Sequence, residues 1–427
     1  MAALLVGSAA AWAEDPKGEG PTIRQGRELF VKQWQEHDRQ SPDGDGLGPM
    51  YNARSCAECH SQGGVGGGGK ADHNVELLNL IAPERKEGIS RQTFIEAVGK
   101  IHPTLVPNAF TVRPSITLHR FGSNPAYEKW RVALVLLTAY LPAGQVPDRI
   151  ALEIARRNTP ALFGAGVIDA IPASVLEDVA RRQQAQRGDV KGRVAVAGGG
   201  KPGKFGWRGQ TASLEQFVMG ACANELGLQV PENNQPQDPL DPSSKAPGLD
   251  LKQQQCDALV AFVASLPPPA ERLPLSHRQK QQWAAGGQLF KRVGCADCHL
   301  PKLGEVAGIY SDLLLHDMGQ DLADQAGANP PSGPTPLVAG FVAYYGGPQS
   351  IFVEVPPITK RQWRTPPLWG VAESRPYLHD GRARTLEEAI LLHGGEAATS
   401  KKKFAELKGE NRANLLAYLE SLGQPAR

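Results

Sequence analysis

The chain of 427 residues is long enough for two or three domains. Gly (47) and Pro (35) make up about a fifth of it, above the roughly 12% of an average protein, so loops must carry much of the fold. A formal net charge of +2, with acidic and basic residues interspersed and no basic run that could track phosphates, argues against nucleic acid as a partner.

The start, Met1 to Asp15, is an apolar run ending Ala11-Trp12-Ala13 before Glu14, an A-x-A cleavage pattern without a basic leader. It reads as a signal-peptide remnant over 1–13, with export to the periplasm. At well short of ~20 residues, the run cannot be a stable membrane span. From Pro21, Ile23, Leu29 and Phe30 mark an amphipathic helix. The turn Ser41 to Pro49 follows; its Asp43 and Asp45 are candidates for calcium, although alternating Asp and Gly is more often a plain turn.

Next comes Cys56-Ala-Glu-Cys59-His60, repeated later as Cys295-Ala-Asp-Cys298-His299. In C-x-x-C-H the two thiols add across the vinyl groups of a haem, and the His binds the iron from below. A redox dithiol or half a zinc site would not require a His after the second Cys in both copies. Two covalent haems c are expected, with His60 and His299 as iron ligands. Attachment of such haems outside the cytoplasm in bacteria agrees with the leader.

The run Gly63 to Lys70 nearly matches a phosphate-binding loop, but Ala71 stands where Ser or Thr is needed and no strand is expected before it. It reads as a flexible loop at the haem edge. Helices are expected over Ser90 to Lys100 and Asn124 to Leu141, the latter with an Asn cap and Pro125 in its first turn. His102 and His119 lie between them. Residues 144–249 have no counterpart later in the chain and read as a loop-rich insertion with helices at Ala173 to Gln183 and Leu214 to Leu226. Cys222 and Cys256, an even pair in an oxidising compartment, are expected to form a disulfide.

Gly26-Arg-Glu-Leu29-Phe30 recurs as Gly286-Gly-Gln-Leu289-Phe290, and Leu259 to Leu266 recurs as Leu415 to Leu422. Each half thus reads as helix, haem motif, loops and closing helix. Pro267-Pro-Pro269 is a stiff linker between them. The expected fold is mainly α, with two cytochrome c-like domains, 21–266 (insertion at about 144–249) and 276–427, each holding one haem.

Arg364 to Trp369 and Pro376-Tyr-Leu-His379-Asp-Gly381 to Ala389, together with the two haem motifs, resemble the bacterial di-haem cytochrome c peroxidase superfamily. Ser311 to Gly319, Gly164 to Pro172 and His393-Gly-Gly-Glu-Ala397 look like its di-haem oxidoreductase branch, also labelled peroxidases or thiol oxidoreductases. The similarity covers nearly the whole mature chain, although the inter-haem span is longer here. It implies that a small electron donor, a cytochrome or copper protein, reduces the C-terminal haem, which passes electrons to an N-terminal haem where a small-molecule oxidant such as peroxide binds.

His393 stands where those peroxidases carry a Met ligand and is the candidate sixth ligand of the second haem. Thr385 and Glu388 form a capping box for a helix from Leu386, and Gly394-Gly395 stops it. On that helix Leu386, Ile390 and His393 share the apolar face. For the first haem, His119 and then His102 are candidate distal or catalytic residues, though a His beside Arg and Phe is more often structural. His379 is a candidate donor beside the second haem. Met50 and Met318 could be thioether ligands, yet such Met are usually core. Arg364 and Arg382, with Arg120 and Arg384, could pair haem propionates, and Trp207 could bridge the haems. An enzyme needs an open or displaceable sixth site with an acid or base nearby; the alternative is a di-haem carrier with both irons closed.

Overall fold

The computed structural model describes residues 20–81, 91–106, 115–140, 151–186, 188–271, 276–324 and 360–423. The leader expected over 1–13 and the start of the insertion at 144–150 lie outside them. The protein is helix-rich. Its helices are α1 (Pro21–Val31), α2 (Cys56–Cys59), α3 (Arg91–Ile101), α4 (Tyr127–Tyr140), α5 (Ala165–Asp169), α6 (Ala173–Ala185), α7 (Leu214–Leu226), α8 (Gln253–Ser265), α9 (His277–Val293), α10 (Leu386–Leu392), α11 (Ala398–Glu406) and α12 (Glu410–Glu420).

Local chemistry sets their ends. Ser276 and Gln279 form a reciprocal capping box at the start of α9, and Gly294 at φ 100° ends it in the left-handed region. Ser213 accepts from the Gln216 amide to open α7, and Gly227 at φ 66° closes it.

Two helix crossings follow the sequence repeat. α1 lies on α8, and α9 lies on α12. A Cβ at Gly26 would collide with the Ala258 carbonyl and Phe262, and one at Gly286 with the Asn414 carbonyl and Tyr418. These are the same positions of the two closing helices, so glycine permits the same close backbone approach in each half. Under each crossing the next repeat residues are buried, Leu29 and Phe30 in one, Leu289 and Phe290 in the other. Phe30 meets Phe262 edge-on at 5.1 Å, and Phe290 meets Tyr418 at 5.6 Å.

The largest core joins α1, α5, α6, α7 and α8 and extends to Leu303, Ile309, Leu313, Leu314 and Trp369 of the second half. A second core surrounds Phe290, Tyr310, Phe404 and Tyr418. Residues 151–249 pack against both halves: α7 touches α8, while Gln183 on α6 donates to the Asp312 carboxylate at 2.9 Å.

Not all of the fold is helical. Strand β1 (Val75–Ile81) is the centre of an antiparallel sheet with β2 (Ser115–Thr117) and β3 (Ala151–Arg157), in register Leu77↔Thr117 and Leu77↔Ala155. Leu78, Ile116 and Leu118 from this sheet region bury against Val98 and Leu134 of α3 and α4. The sequence reading placed no strand here, because the alternation in each segment is short and their pairing spans distant parts of the chain. A second small pair joins β4 (Leu315–Asp317) to β5 (Gln362–Arg364).

The expected disulfide is not formed. Cys222 on α7 and Cys256 on α8 are buried free thiols in the same apolar core. Interhelical packing already fixes this segment, and burial raises both thiols, that of Cys256 to about 12.

Candidate functional site

The first motif forms α2. Ser55 accepts from the Glu58 amide at 3.1 Å, and the Glu58 carboxylate accepts from the Arg54 amide at 2.9 Å. His60 follows at the helix end, and its Nδ1 lies 3.1 Å from the Gly67 carbonyl. The glycine run expected to be a flexible edge is therefore a cradle. Gly63, Gly64 and Gly66 take φ of 77°, 133° and 90°, which bends the loop until Gly67 faces the imidazole.

In the second motif, His299 Nδ1 lies 3.0 Å from the Tyr310 carbonyl. Tyr310 is itself at φ 48°, and its ring is held by hydroxyl contacts to Glu271 and Tyr418. With Nδ1–H donating to a backbone carbonyl, each histidine presents Nε2 as the lone-pair nitrogen a metal needs. Burial also depresses both imidazoles to about 4, so each is neutral near pH 7. The cysteines behave oppositely. Burial pushes the Cys56 and Cys295 thiols up to about 12, which disfavours the thiolate that a zinc half-site or reactive dithiol requires.

Beside the second motif is a long, mainly apolar cavity. Cys295, Cys298 and His299 line it together with Leu386, Ile390 and His393. The expected capping box is present: Thr385 Oγ1 accepts from the Glu388 amide at 3.1 Å, and the Glu388 carboxylate accepts from the Thr385 amide at 3.2 Å. α10 ends at Leu392, leaving His393 at its C-cap. His393 is half-buried, and its Nδ1 lies 2.7 Å from the Ala389 carbonyl, which again directs Nε2 away from the helix. The cavity thus brings two oriented imidazoles, two cysteines and an apolar wall together, a donor set and shape that fit a haem with one His on each side of the iron.

The other residues singled out by the sequence fall inside and outside this cavity. Arg364 lines it, buried, with Nε donating to the Gly206 carbonyl at 2.8 Å; burial lowers its pKa to about 10. Arg382 is not among the lining residues; Asp380 holds its Nε at 2.5 Å. Arg120 donates to the Asp72 carbonyl. His379 lines the cavity, its ring stacked on Trp363 at 3.5 Å. Met318 also lines it, whereas Met50 is core. Trp207 donates from Nε1 to the Asn158 carbonyl at 2.8 Å and lines the cavity next to 158–163. That segment continues to the first motif, where Gly69 N bonds the Thr159 carbonyl and Leu162 N the Gly66 carbonyl.

His102 and His119 are buried but committed to local contacts. His102 Nδ1 accepts from the Thr104 amide at 3.2 Å, and its ring stands edge-on to Trp130. His119 Nε2 lies 2.8 Å from the Asn224 carbonyl. Asp43 pairs with Lys252 at 3.1 Å, and Asp45 Oδ2 accepts from Gln235 at 2.9 Å.

Three groups escaped the sequence reading. His316 sits between Asp312 (Nε2, 2.9 Å) and Glu396 (Nδ1, 2.6 Å), with Cys298 Sγ 3.7 Å from Nδ1. Burial opposes its charge, but Asp312 and Glu396 outweigh it and hold the imidazole protonated well above its usual range. Asp312 and His316 stood four residues apart in the run quoted for the resemblance, where the spacing was a usable signal. Near the first motif, His73 Nδ1 is 3.8 Å from Cys59 Sγ. Glu225 on α7 accepts from Asn52 Nδ2 at 2.7 Å, and its charge helps burial raise the Cys59 thiol. Neither carried a motif.

Residues 358–422 match the family described as "Di-haem oxidoreductase, putative peroxidase". The matched span holds Arg364, His379 and His393 but neither C-x-x-C-H motif. No curated protein matches the chain. Among solved structures, the diheme peroxidase BthA from Burkholderia thailandensis is 15% identical, with 98% of this chain and 92% of that one covered and a TM-score of 0.39. A MauG-like protein associated with microbial copper homeostasis is 16% identical over 60% and 90%, TM-score 0.31. Kuenenia stuttgartiensis hydrazine synthase is 19% identical over 62% and 72%, TM-score 0.34. The di-haem oxidoreductase match implies haem as the cofactor class, and no helix among the described residues is long and apolar enough to cross a membrane.

Proposed function

We propose that this chain is a periplasmic di-haem c-type oxidoreductase, with one haem attached at Cys56 and Cys59 and the other at Cys295 and Cys298. The observation that carries this reading is the matched pair of cradles, in which His60 and His299 each meet a backbone carbonyl through Nδ1 at 3.1 and 3.0 Å. Haem, when bound, supplies the electron transfer and the place where an oxidant is reduced. His393 and His299 would hold the second haem, and Arg364, which lines the same cavity, would be available to one of its propionates. The two helix crossings support a division into cytochrome c-like domains over 21–266 and 276–427, with 144–249 an elaboration that touches both.

Electrons from a small donor protein enter at the second site and pass by Trp207 and the 158–163 segment towards the first, where peroxide or a related small oxidant is reduced. Glu225, held by Asn52 beside the first motif, is positioned to move a proton there, which favours the enzyme over a closed carrier. His119 and His102 would support that site structurally, since His102 Nδ1 and His119 Nε2 each bond a backbone group.

Haem staining after denaturing electrophoresis, with mass giving the stoichiometry, should show two haems. The half-reduced protein should then react with hydrogen peroxide faster than the fully oxidised one, because the second site stores the electron used at the first. Stopped-flow traces indifferent to peroxide in every redox state would establish the carrier instead.

A further inference from the structure

We propose that Tyr310 is a redox-active residue: once a strong one-electron oxidant has taken the haem at Cys295 and Cys298 beyond the ferric state, Tyr310 would give that haem one electron and its own phenolic proton to Glu271. The proposal rests on the second haem assigned above, but not on peroxide as the substrate. Three observations converge on this side chain. Its carbonyl receives Nδ1–H of His299 at 3.0 Å, so its backbone is one hydrogen bond from the axial ligand. Its hydroxyl, on a buried ring, donates to Glu271 Oε1 at 2.8 Å. Tyr418 OH lies 3.0 Å from the same oxygen and, since the Tyr310 proton is committed to Glu271, donates to it.

That arrangement suits proton-coupled oxidation. A phenol cannot keep its proton once it has lost an electron, and a carboxylate already in hydrogen-bond contact accepts it without rearrangement. The step balances as one electron to the haem and one proton to Glu271, leaving a neutral tyrosyl oxygen that still accepts from Tyr418. Beyond Tyr310 the rings continue outward. Tyr418 lies 6.3 Å from it, centre to centre, and Trp283 on α9 lies 5.8 Å from Tyr418 and is half-exposed. Return of an electron through Trp283 and of the proton from Glu271 restores Tyr310, and a one-electron reductant at the α9 surface ends the sequence. The first site has nothing equivalent, because Gly67 supplies its carbonyl.

Flash-quench oxidation of the two-haem protein with photogenerated tris(bipyridine)ruthenium(III) tests the idea without peroxide, so it stands or falls apart from the peroxidase reading. Electron paramagnetic resonance should trap a neutral tyrosyl radical. Tyr310→Phe, which keeps the ring packing, should lose it while haem content stays at two. Tyr418→Phe should retain the radical with a shifted g-tensor, as a hydrogen bond to its oxygen disappears. Glu271→Gln, at an exposed position, should slow its formation. No tyrosyl radical in the unaltered protein, or an undiminished one in Tyr310→Phe, overturns the proposal.

Discussion

The two C-x-x-C-H neighbourhoods solve one problem in different ways. Each must bend the chain so that a carbonyl faces the Nδ1 of a histidine. The first uses glycine, with positive φ at Gly63, Gly64 and Gly66. The second uses a tyrosine at φ 48°, anchored by its hydroxyl to Glu271 and Tyr418. Left-handed backbone costs a non-glycine residue of order 1 kcal/mol, which persists only where other contacts over-determine it. The lesson is that a glycine cradle holds one atom, whereas a side-chain cradle also ties the ligand to a wider network. The surroundings differ likewise, since the second site adds the His316 cluster and His393, and the first has His73 and Glu225 at its edge.

Removing the covalent anchors should break the comparison most completely. Replacing Cys56 and Cys59 by Ala, or Cys295 and Cys298 by Ala, should each lower the mass by one haem and leave the other attached. Loss of both haems from either variant would show the sites to be interdependent.

His393→Ala should come next in size. It should convert one haem from low to high spin in electron paramagnetic resonance while both remain attached. An unaltered spin state would remove His393 from the coordination sphere and turn attention to Met318 and His379, which line the same cavity.

The helix crossings offer a symmetric test. Gly26→Ala and Gly286→Ala should each cost several kcal/mol, on the order of 3, because the added methyl meets backbone that cannot yield. Chemical denaturation should show similar losses in the two variants. A large loss in one and none in the other would mean that only one crossing is closely packed.

Titration should set two groups of buried histidines apart by sign, His102 and His119 of the first half against His316 of the second. In the first, burial lowers His102 to about 3 and His119 to about 4, so the unfolded chain binds more protons below pH 6.5, and stability present above that value should fall as pH drops towards 4. In the second, Asp312 and Glu396 raise His316, so its contribution is full below pH 6.5 and lost as pH rises through its elevated folded pKa. Thermal melts should show both limbs. His102→Phe should flatten the acid one, and His316→Gln the alkaline one, with a cost of about 3 kcal/mol at pH 7 where two carboxylates lose their shared cation.

By itself the sequence determined what short-range chemistry specifies. The motifs picked out the cysteines and histidines around which the two cradles are built. The repeat of Gly26 and Gly286 anticipated two helix crossings, and Thr385 with Glu388 started α10 where its capping box said it would. The apolar spacing of Leu386, Ile390 and His393 placed them on the face that lines the cavity. These features repeat over a few residues and depend little on the rest of the chain.

What the sequence missed depends on distant partners. Strands β1, β2 and β3 owe their existence to pairing across the chain, and Cys222 with Cys256 stayed unbonded in a core already held by helix packing. Arg382 matched the propionate pattern as well as Arg364 did, but Asp380 took its guanidinium. Only tertiary structure could bring Glu396 to His316 across 80 residues, or Glu225 to Asn52 across 173. A carboxylate's role follows from what it faces once desolvated, and no local pattern encodes that.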